Sequence, residues 1–298
     1  MNIGLIGLGK MGYQLALNML DNDMDFIAYN RTQHKLDKIH KEGVIVAYTL
    51  EELVSKLSKP RVLWLMIPAG DPVDTMLKKL SSLLSTDDII IDGGNSNYKD
   101  TLRRYDMLKT KKIHYVDVGT SGGVEGARNG ACMMIGGEKE TYHYLEPIFK
   151  NLCVTDGYEY MGSSGSGHYV KMVHNGVEYA ILQAIGEGFE ILDASPYDLD
   201  LENVAKVWDN GSIIESFLMK LTHRALCKDP DLEKLEGIIN ASGEGLWTLQ
   251  EALDLGIPTP TIADALFVRY RSHQTNTYSA RLIAALRNEF GGHAVKEK

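Results

Sequence analysis

The chain holds 298 residues, 44% of them hydrophobic and 24% charged, with a formal net charge of −9. Those values fit a globular protein of about two domains. They argue against nucleic acid or an anionic membrane surface as the main partner, while a few local cations can still hold a small anionic substrate.

Apolar runs end well short of a membrane span. The first, Asn2-Ile3-Gly4-Leu5-Ile6, already reads as a strand, so no leader is expected ahead of it and a cytoplasmic location follows. It leads into Gly7-Leu8-Gly9-Lys10-Met11-Gly12 and then a helical pattern through Leu15, Leu17, Met19 and Leu20. Strand, G-x-G-x-x-G and helix are the context a dinucleotide fingerprint requires. Gly7 permits the tight turn, Gly9 lets the backbone approach a pyrophosphate at the helix N-terminus, and Gly12 allows close helix–strand packing. The second strand, Phe26–Tyr29, ends in Asn30-Arg31-Thr32, where an NAD site usually places an acid for the ribose 2′-hydroxyl. A guanidinium and a hydroxyl there suit a 2′-phosphate and favour NADP. A solvated arginine after a strand is the plainer alternative.

Arg61–Pro68, which contains Met66, and Asp88–Asp92 read as buried strands. The latter runs into Gly93-Gly94-Asn95-Ser96-Asn97, a polar loop at a strand's C-terminal end, where open α/β sheets bind ligands. Asn95 is thus placed to touch cofactor or substrate, unless the loop is only a turn. His114–Val118 is a further strand, followed by an expected loop from Gly119 to Ala127. Its small residues bring N–H groups and the Thr120 and Ser121 hydroxyls near one point, able to hold a carboxylate or phosphate. Met133–Gly137 returns to the sheet. The small, flexible run Ser163–Gly167 then divides an N-terminal Rossmann-type doubly wound α/β domain, residues 1–165, from an all-α C-terminal domain, residues 166–298. Helical periodicity predicts segments over 168–194, 200–227, 230–240, 246–255 and 260–289.

In the first of these helices Lys171, His174, Asn175 and Glu178 fall at i, i+3, i+4 and i+7 and share one face. Val170, Val173 and Val177 form a competing apolar stripe, expected to anchor the helix to its core. A base candidate, an acid candidate and two hydrogen-bonding groups thus converge, although a solvated polar face has the same pattern. The chain's last stretch, Arg287-Asn288-Glu289-Phe290-Gly291-Gly292-His293, is expected to be an extended, glycine-rich tail carrying a cation and an imidazole. Cys132, Cys153 and Cys227 have no metal-type spacing and are expected as core thiols. No His or Asp spacing suggests a metal either.

Gly7–Gly12, Asn30-Arg31-Thr32, Asp92-Gly93-Gly94-Asn95-Ser96, Gly119-Thr120-Ser121-Gly122-Gly123, Lys171–Tyr179 and Arg287–His293 together closely resemble the decarboxylating 6-phosphogluconate dehydrogenases. The resemblance spans nearly the whole chain, in a short form without the repeated second half of the helical domain. It implies NADP, with NAD as the alternative, held by Gly7, Leu8, Gly9, Lys10, Met11, Gly12, Asn30, Arg31, Thr32, Met66 and Asn95. It implies that a neutral Lys171 takes the proton from the carbon 3 hydroxyl of 6-phosphogluconate and that Glu178 protonates carbon 1 after loss of carbon dioxide. Asn95, Ser121, Gly122, Gly123, His174 and Asn175 would hold the substrate, and Tyr179 its phosphate. Arg287 and His293 would arrive from a neighbouring subunit's tail, which makes the protein a homo-oligomer. No metal is implied. Longer members carry a Lys-Gly-Thr loop for the phosphate; here Ala241-Ser242-Gly243-Glu244-Gly245-Leu246-Trp247-Thr248 has an acid and no cation. The family's second phosphate-binding arginine, near 275–281, has no secure match here, although Arg281 is nearby. The competing readings are a 3-hydroxyisobutyrate-type dehydrogenase, which would not need His174, Glu178, Tyr179, Arg287 and His293, and a non-catalytic NADP sensor, which needs no acid/base pair.

Overall fold

A computed structural model describes residues 2–296. The first half alternates strand and helix: β1 (Ile3–Ile6), α1 (Lys10–Asp21), β2 (Phe26–Tyr29), α2 (Gln33–Lys41), β3 (Ile45–Ala47), α3 (Leu50–Lys56), β4 (Val62–Leu65), α4 (Asp71–Leu83) and β5 (Ile89–Asp92). It continues through α5 (Tyr98–Lys109), β6 (His114–Ser121), α6 (Gly123–Asn129), β7 (Ala131–Gly136), α7 (Lys139–Leu152) and β8 (Cys153–Gly162). The strands form one eight-stranded sheet in the order β3-β2-β1-β4-β5-β6-β7-β8. All neighbours are parallel except β6 and β7. The strand order reverses between β1 and β4, which is the switch point of a doubly wound fold.

Central strands lack polar alternation because both faces are covered. Ile89 and Ile91 of β5 join one core with Leu15, Met19 and Phe149, while Ile90 between them joins the opposite core with Leu53, Leu77 and Leu108. Trp64 and Leu65 of β4 divide in the same way.

One expected loop is mostly regular structure. Gly119, Thr120 and Ser121 belong to β6, and Gly123 already opens α6, leaving only Gly122 between them, in the left-handed region at φ +100°. The cause is the antiparallel partner: β7 pairs with β6 from Asp117 to Ser121, carrying the strand beyond its parallel ladder with β5.

The remaining elements are helices: α8 (Ser166–Asp193), α9 (Leu201–Trp208), α10 (Phe217–Leu226), α11 (Gly243–Asp254), α12 (Pro260–Ser272) and α13 (Tyr278–Gly291). No strand occurs among the described residues of this part. By packing, the chain divides into two compact units, Met1–Asn175 and Gly176–Lys298, with α8 continuous through the division.

Three expectations for the helices need correction. The segment 200–227 is broken between α9 and α10, where Gly211 adopts φ +86° and the Ser212 hydroxyl donates to the Trp208 carbonyl. Residues 230–240 are not helical: the chain turns over 230–234 and runs irregularly over 235–240, because Pro230 supplies no N–H and Leu232 sits at φ +52°. The segment 260–289 stops at Ser272; Asn276 turns the chain at φ +47° and Thr277 caps α13 by accepting from the Ala280 N–H. The stretch Arg287–His293 is also mostly not extended: Arg287 lies within α13, which Gly292 terminates at φ +62°.

Asp88, fully buried, ties the start of β5 to β4. It accepts from the Arg61 N–H at 2.8 Å, the Ser85 N–H at 2.8 Å and the Arg61 guanidinium at 2.9 Å. Burial opposes ionisation, but those donors outweigh it and hold the carboxyl below the usual aspartate range. A depressed carboxyl contributes stability that is fully present above the ordinary value, near about pH 4, and is lost as pH falls through the folded one. Asp88→Asn should therefore cost roughly 3 kcal/mol at neutral pH. Thermal unfolding of parent and variant measured across acid pH should show that gap shrinking as the solution is acidified.

Candidate active site

The loops expected to hold a dinucleotide follow strands around the switch point, at the C-terminal edge of the parallel strands. Gly7 adopts φ +106°, and a Cβ there or on Gly12 would overlap the Met66 carbonyl or the Gly7 carbonyl respectively. Met66 thus lies half-buried beneath the turn, and α1 packs closely because Gly12 has no side chain. Gly9 differs: a Cβ there would meet nothing within 4 Å. Gly9 and Lys10 are exposed at the N-terminus of α1, with Met11 half-buried and Leu8 buried. This is an open N–H cradle of the kind a pyrophosphate fills. Asn30 is engaged within the chain. Its Oδ1 accepts from the Leu8 N–H at 3.0 Å and its Nδ2 donates to the Thr32 carbonyl at 3.1 Å, so it braces the two loops against each other. Arg31 and Thr32 are exposed beyond it, and Asn95 is half-buried after β5.

The start of α8 is built from groups that strand periodicity does not single out. Asp117, wholly buried in β6, accepts from the Gly165 N–H at 2.7 Å and the His168 N–H at 2.9 Å. A strand carboxylate thus satisfies orphan donors of the helix N-terminus and meets its dipole with negative charge. His168 is buried too, its Nε2 donating to the Asp92 carbonyl at 3.1 Å and its Nδ1 pairing with Thr101 Oγ1 at 2.7 Å. The Asp92 carboxylate accepts from Ser96 at 2.7 Å and Tyr115 at 2.8 Å, with the buried Arg104 guanidinium 3.8 Å away. Burial, followed by the Asp92 charge, pushes the Tyr115 phenol well up. Asp92 and Asp117 were visible in the sequence as acids inside otherwise apolar strands, and that was the available signal.

Glycines let α8 lie directly on the strands. A Cβ on Gly119 would overlap that of Lys171, and one on Gly167 would stand 2.5 Å from the Met134 carbonyl and 2.6 Å from the Asp117 carbonyl. The helix consequently faces the sheet with its polar side. Lys171 and Asn175 are buried, whereas Val173 and Val177 are 36% and 45% exposed. Two of the three valines expected to anchor the helix are thus exposed, Val170 is half-buried, and Met172 is the buried apolar neighbour. His174 links the group: its Nε2 lies 3.2 Å from Ser121 Oγ, and its Nδ1 lies 3.4 Å from Lys171 Nζ and 3.0 Å from Asn175 Oδ1. With the proton on Nδ1, the ring donates to Asn175 and accepts from Ser121. With it on Nε2, Nδ1 accepts from Lys171. An amine, an imidazole, an amide and a hydroxyl therefore form one connected chain. Gly122 and Gly123 follow Ser121 at its edge.

In the helical unit, Tyr179 is buried and its hydroxyl sits against Ser242, accepting from the backbone N–H at 2.9 Å and sharing a bond with Oγ at 2.8 Å. The Arg269 guanidinium stacks 3.6 Å over the Tyr179 ring and donates to the Asn240 carbonyl at 3.0 Å. Gly245 is required under that ring, where a Cβ would overlap it. Arg269 is the arginine associated with Tyr179. Arg281, nearer the expected position, donates instead to the Asn276 carbonyl at 2.7 Å and stays on the surface. Arg269 lies on α12 outside the motifs singled out above, which hid it from the sequence. Glu244 is buried with Oε2 lacking a hydrogen-bond partner among the described residues, and Glu178 is half-buried. Arg287 and His293 are exposed: α13 buries none of its residues, and His293 folds back so that Asn288 Nδ2 donates to its carbonyl at 2.9 Å. The single chain does not pack this pair beside Tyr179.

A doubly wound dinucleotide-binding sheet followed by an all-helical region that begins with a buried lysine defines a nicotinamide-dependent dehydrogenase. Residues 2–162 match the NAD binding domain of 6-phosphogluconate dehydrogenase, and residues 167–281 match the C-terminal domain of that enzyme. The chain belongs to the 6-phosphogluconate dehydrogenase family. It is 50% identical over 298 residues, all of both chains, to the Bacillus subtilis protein YqeC, which carries the same family name provisionally. It is 42% identical over 300 residues to the NAD(+)-dependent, decarboxylating 6-phosphogluconate dehydrogenase of Haloferax volcanii, covering 100% of this chain and 99% of that one. The Plasmodium falciparum 6-phosphogluconate dehydrogenase, solved with NADP+ and with 6-phosphogluconate, superposes with a TM-score of 0.85 at 35% identity. That match covers 100% of this chain but 66% of the longer Plasmodium chain.

Two substitutions separate contact from propensity. Gly119→Ala should destabilise by about 1–3 kcal/mol, because the added methyl drives β6 and Lys171 apart. Gly186→Ala, on α8 in open space, should be neutral or stabilising by up to about 1 kcal/mol. Urea unfolding of the two variants beside the parent measures both.

Proposed function

We propose that the protein oxidatively decarboxylates 6-phosphogluconate to ribulose 5-phosphate and carbon dioxide, with NADP as the preferred hydride acceptor and NAD as the alternative. The observation that carries this is the buried Lys171 amine, held against β6 and linked through His174 to Ser121 and Asn175. Residues 1–165 serve as the cofactor domain, and 166–298 as the domain for substrate and dimerisation.

The glycine loop fits a dinucleotide: Gly9 is open where a pyrophosphate approaches, while Gly7 and Gly12 are closed against Met66. Lys10, Met11 and Leu8 line that turn, with Arg31 and Thr32 for the 2′-phosphate and Asn95 for the nicotinamide end. A nicotinamide bound there would supply the acceptor for the hydride of carbon 3. Lys171, entering as the neutral amine, takes the carbon 3 hydroxyl proton, with His174 positioned to share it. The protonated Lys171 then polarises the new ketone, so that carbon dioxide leaves and the developing enolate charge is stabilised. Glu178, about two turns along the same helix, returns a proton to carbon 1. His174 and Asn175 hold hydroxyls, Ser121, Gly122 and Gly123 the carboxylate, and Asn95 the substrate's nicotinamide-facing side.

For the phosphate we assign Tyr179 and Arg269, whose stacked guanidinium supplies the cation that residues 241–248 lack. Arg287 and His293 complete it from a second subunit, an assignment favoured by the full exposure of α13. The working protein is then a homo-oligomer. No helix among the described residues is long and apolar enough to cross a membrane, and we place the enzyme in the cytoplasm with its soluble substrate.

The direct test follows reduced nicotinamide by absorbance with 6-phosphogluconate, while trapping carbon dioxide. One carbon dioxide per hydride supports the reading; reduction confined to an unphosphorylated hydroxy acid overturns it. Lys171→Ala should lower kcat by roughly 10²–10⁴-fold and leave cofactor binding intact, as fluorescence titration would measure. Arg31→Ala should raise KM for NADP by about tenfold or more and leave that for NAD nearly unchanged, the loss expected for one charge-assisted phosphate contact.

A further inference from the structure

Away from the lysine and tyrosine clusters, α9 and α10 bring together three side chains of unlike chemistry. Glu202 of α9, His223 of α10 and Cys227 at the end of α10 each offer a donor atom, and these atoms all lie within 4.8 Å of one another. His223 Nε2 is 3.8 Å from Glu202 Oε1, and the Cys227 thiol is hydrogen-bonded to the same carboxylate. We propose that this trio binds a zinc-class divalent cation, independently of the dehydrogenase reading.

The backbone makes the arrangement firm. The Cys227 N–H donates to the His223 carbonyl at 2.9 Å, so the helical turn is intact and the two side chains stand one above the other at i and i+4. Glu202 is fixed from across the helix pair. Ala205, Met219 and Leu226 form a buried core between α9 and α10, joined by Leu201 and Trp208. Asp200 caps α9 by accepting from the Asn203 N–H, and Ser216 caps α10 by accepting from Met219. The ligand-bearing turns therefore belong to packed, capped helices.

A sulfur, an imidazole nitrogen and a carboxylate oxygen are a donor set that suits zinc, or cobalt in its place, better than magnesium or calcium, which prefer all-oxygen shells. Binding replaces the thiol proton, which leaves to solvent, by a metal–sulfur bond. Thiolate and carboxylate then balance the two positive charges while the imidazole stays neutral. A fourth position remains for water, since Cys227 is exposed and Glu202 and His223 are half-exposed. Lys206, one turn beyond Glu202, lies near enough to influence the thiol and is the cation that a bound metal would displace outward. The site clamps α9 to α10 across residues 209–216. It escapes a spacing search because one ligand comes from the preceding helix and only a His-x-x-x-Cys pair remains on α10.

The test uses the full chain, stripped with a chelator and titrated with zinc in competition with a chromogenic chelator, then with cobalt. We expect one equivalent of zinc per chain, with affinity about tenfold or more weaker in Cys227→Ser and in His223→Gln, a loss of at least one ligand bond. Cys132→Ser should bind as the parent does. Cobalt should produce a thiolate charge-transfer absorption in the parent that Cys227→Ser removes. Absence of that absorption in the parent, or equal zinc binding by parent and Cys227→Ser, overturns the proposal. Because the cobalt readout needs only the parent, the answer does not depend on a variant folding.

Discussion

The site depends on the grip of Asp117 on the first turn of α8. A carboxylate buried in a strand needs strong donors, and the N–H groups of a helix N-terminus are free to supply them. The pairing satisfies both at once and fixes where the helix begins. Gly119, Gly136 and Gly167 remove the side chains that would otherwise hold helix and strands apart; a Cβ on Gly136 alone would stand 2.7 Å from the Asp117 carboxylate. With the backbones this close, the helix face toward β6 has room only for groups that reach past the strand. Lys171 is such a residue, buried to 5% exposure with its amine beside His174.

The same contact explains why the helix presents valines to solvent. An amphipathic helix normally turns its apolar stripe inward. Here the polar face meets a polar strand end, so burial favours hydrogen-bonded Lys171, His174 and Asn175. Val173 and Val177 take the other side, and Ile181, Leu182 and Ile191 continue the exposed apolar row along α8. A helix arranged in this way is specified by its polar network and glycine contacts more than by its hydrophobic periodicity.

Strands β1, β2, β4, β5 and the start of β6 were legible as mostly apolar runs between turn residues, with the Gly7–Gly12 motif after the first; β3, only three residues long, and β8, with Asp156, Gly157 and Glu159 inside it and much of it exposed, were not. The shared face of Lys171, His174 and Asn175 was also legible, from spacing alone. Its orientation was not, since the signal that inverts it lies in Gly119 and Asp117, far away in sequence. Helix boundaries between 200 and 289 were lost for a different reason: positive φ at Leu232 and Asn276 breaks apolar patterns that look continuous. Arg269 could not be found from motif matching, because it is identified by the Tyr179 ring on which it stacks. The proposed phosphate end of the site rests on that stacked pair, which only tertiary structure brings together.

We propose the Lys171 amine, held in this place, as the base of the reaction. Chemical rescue of Lys171→Ala by small primary amines tests it most directly, with 6-phosphogluconate and NADP both saturating. Turnover should return with added amine, in proportion to its free-base concentration, and Glu178→Ala should not be rescued by the same amines. A folded, cofactor-binding Lys171→Ala that gains nothing from any amine small enough to fill the vacated side-chain volume would contradict it.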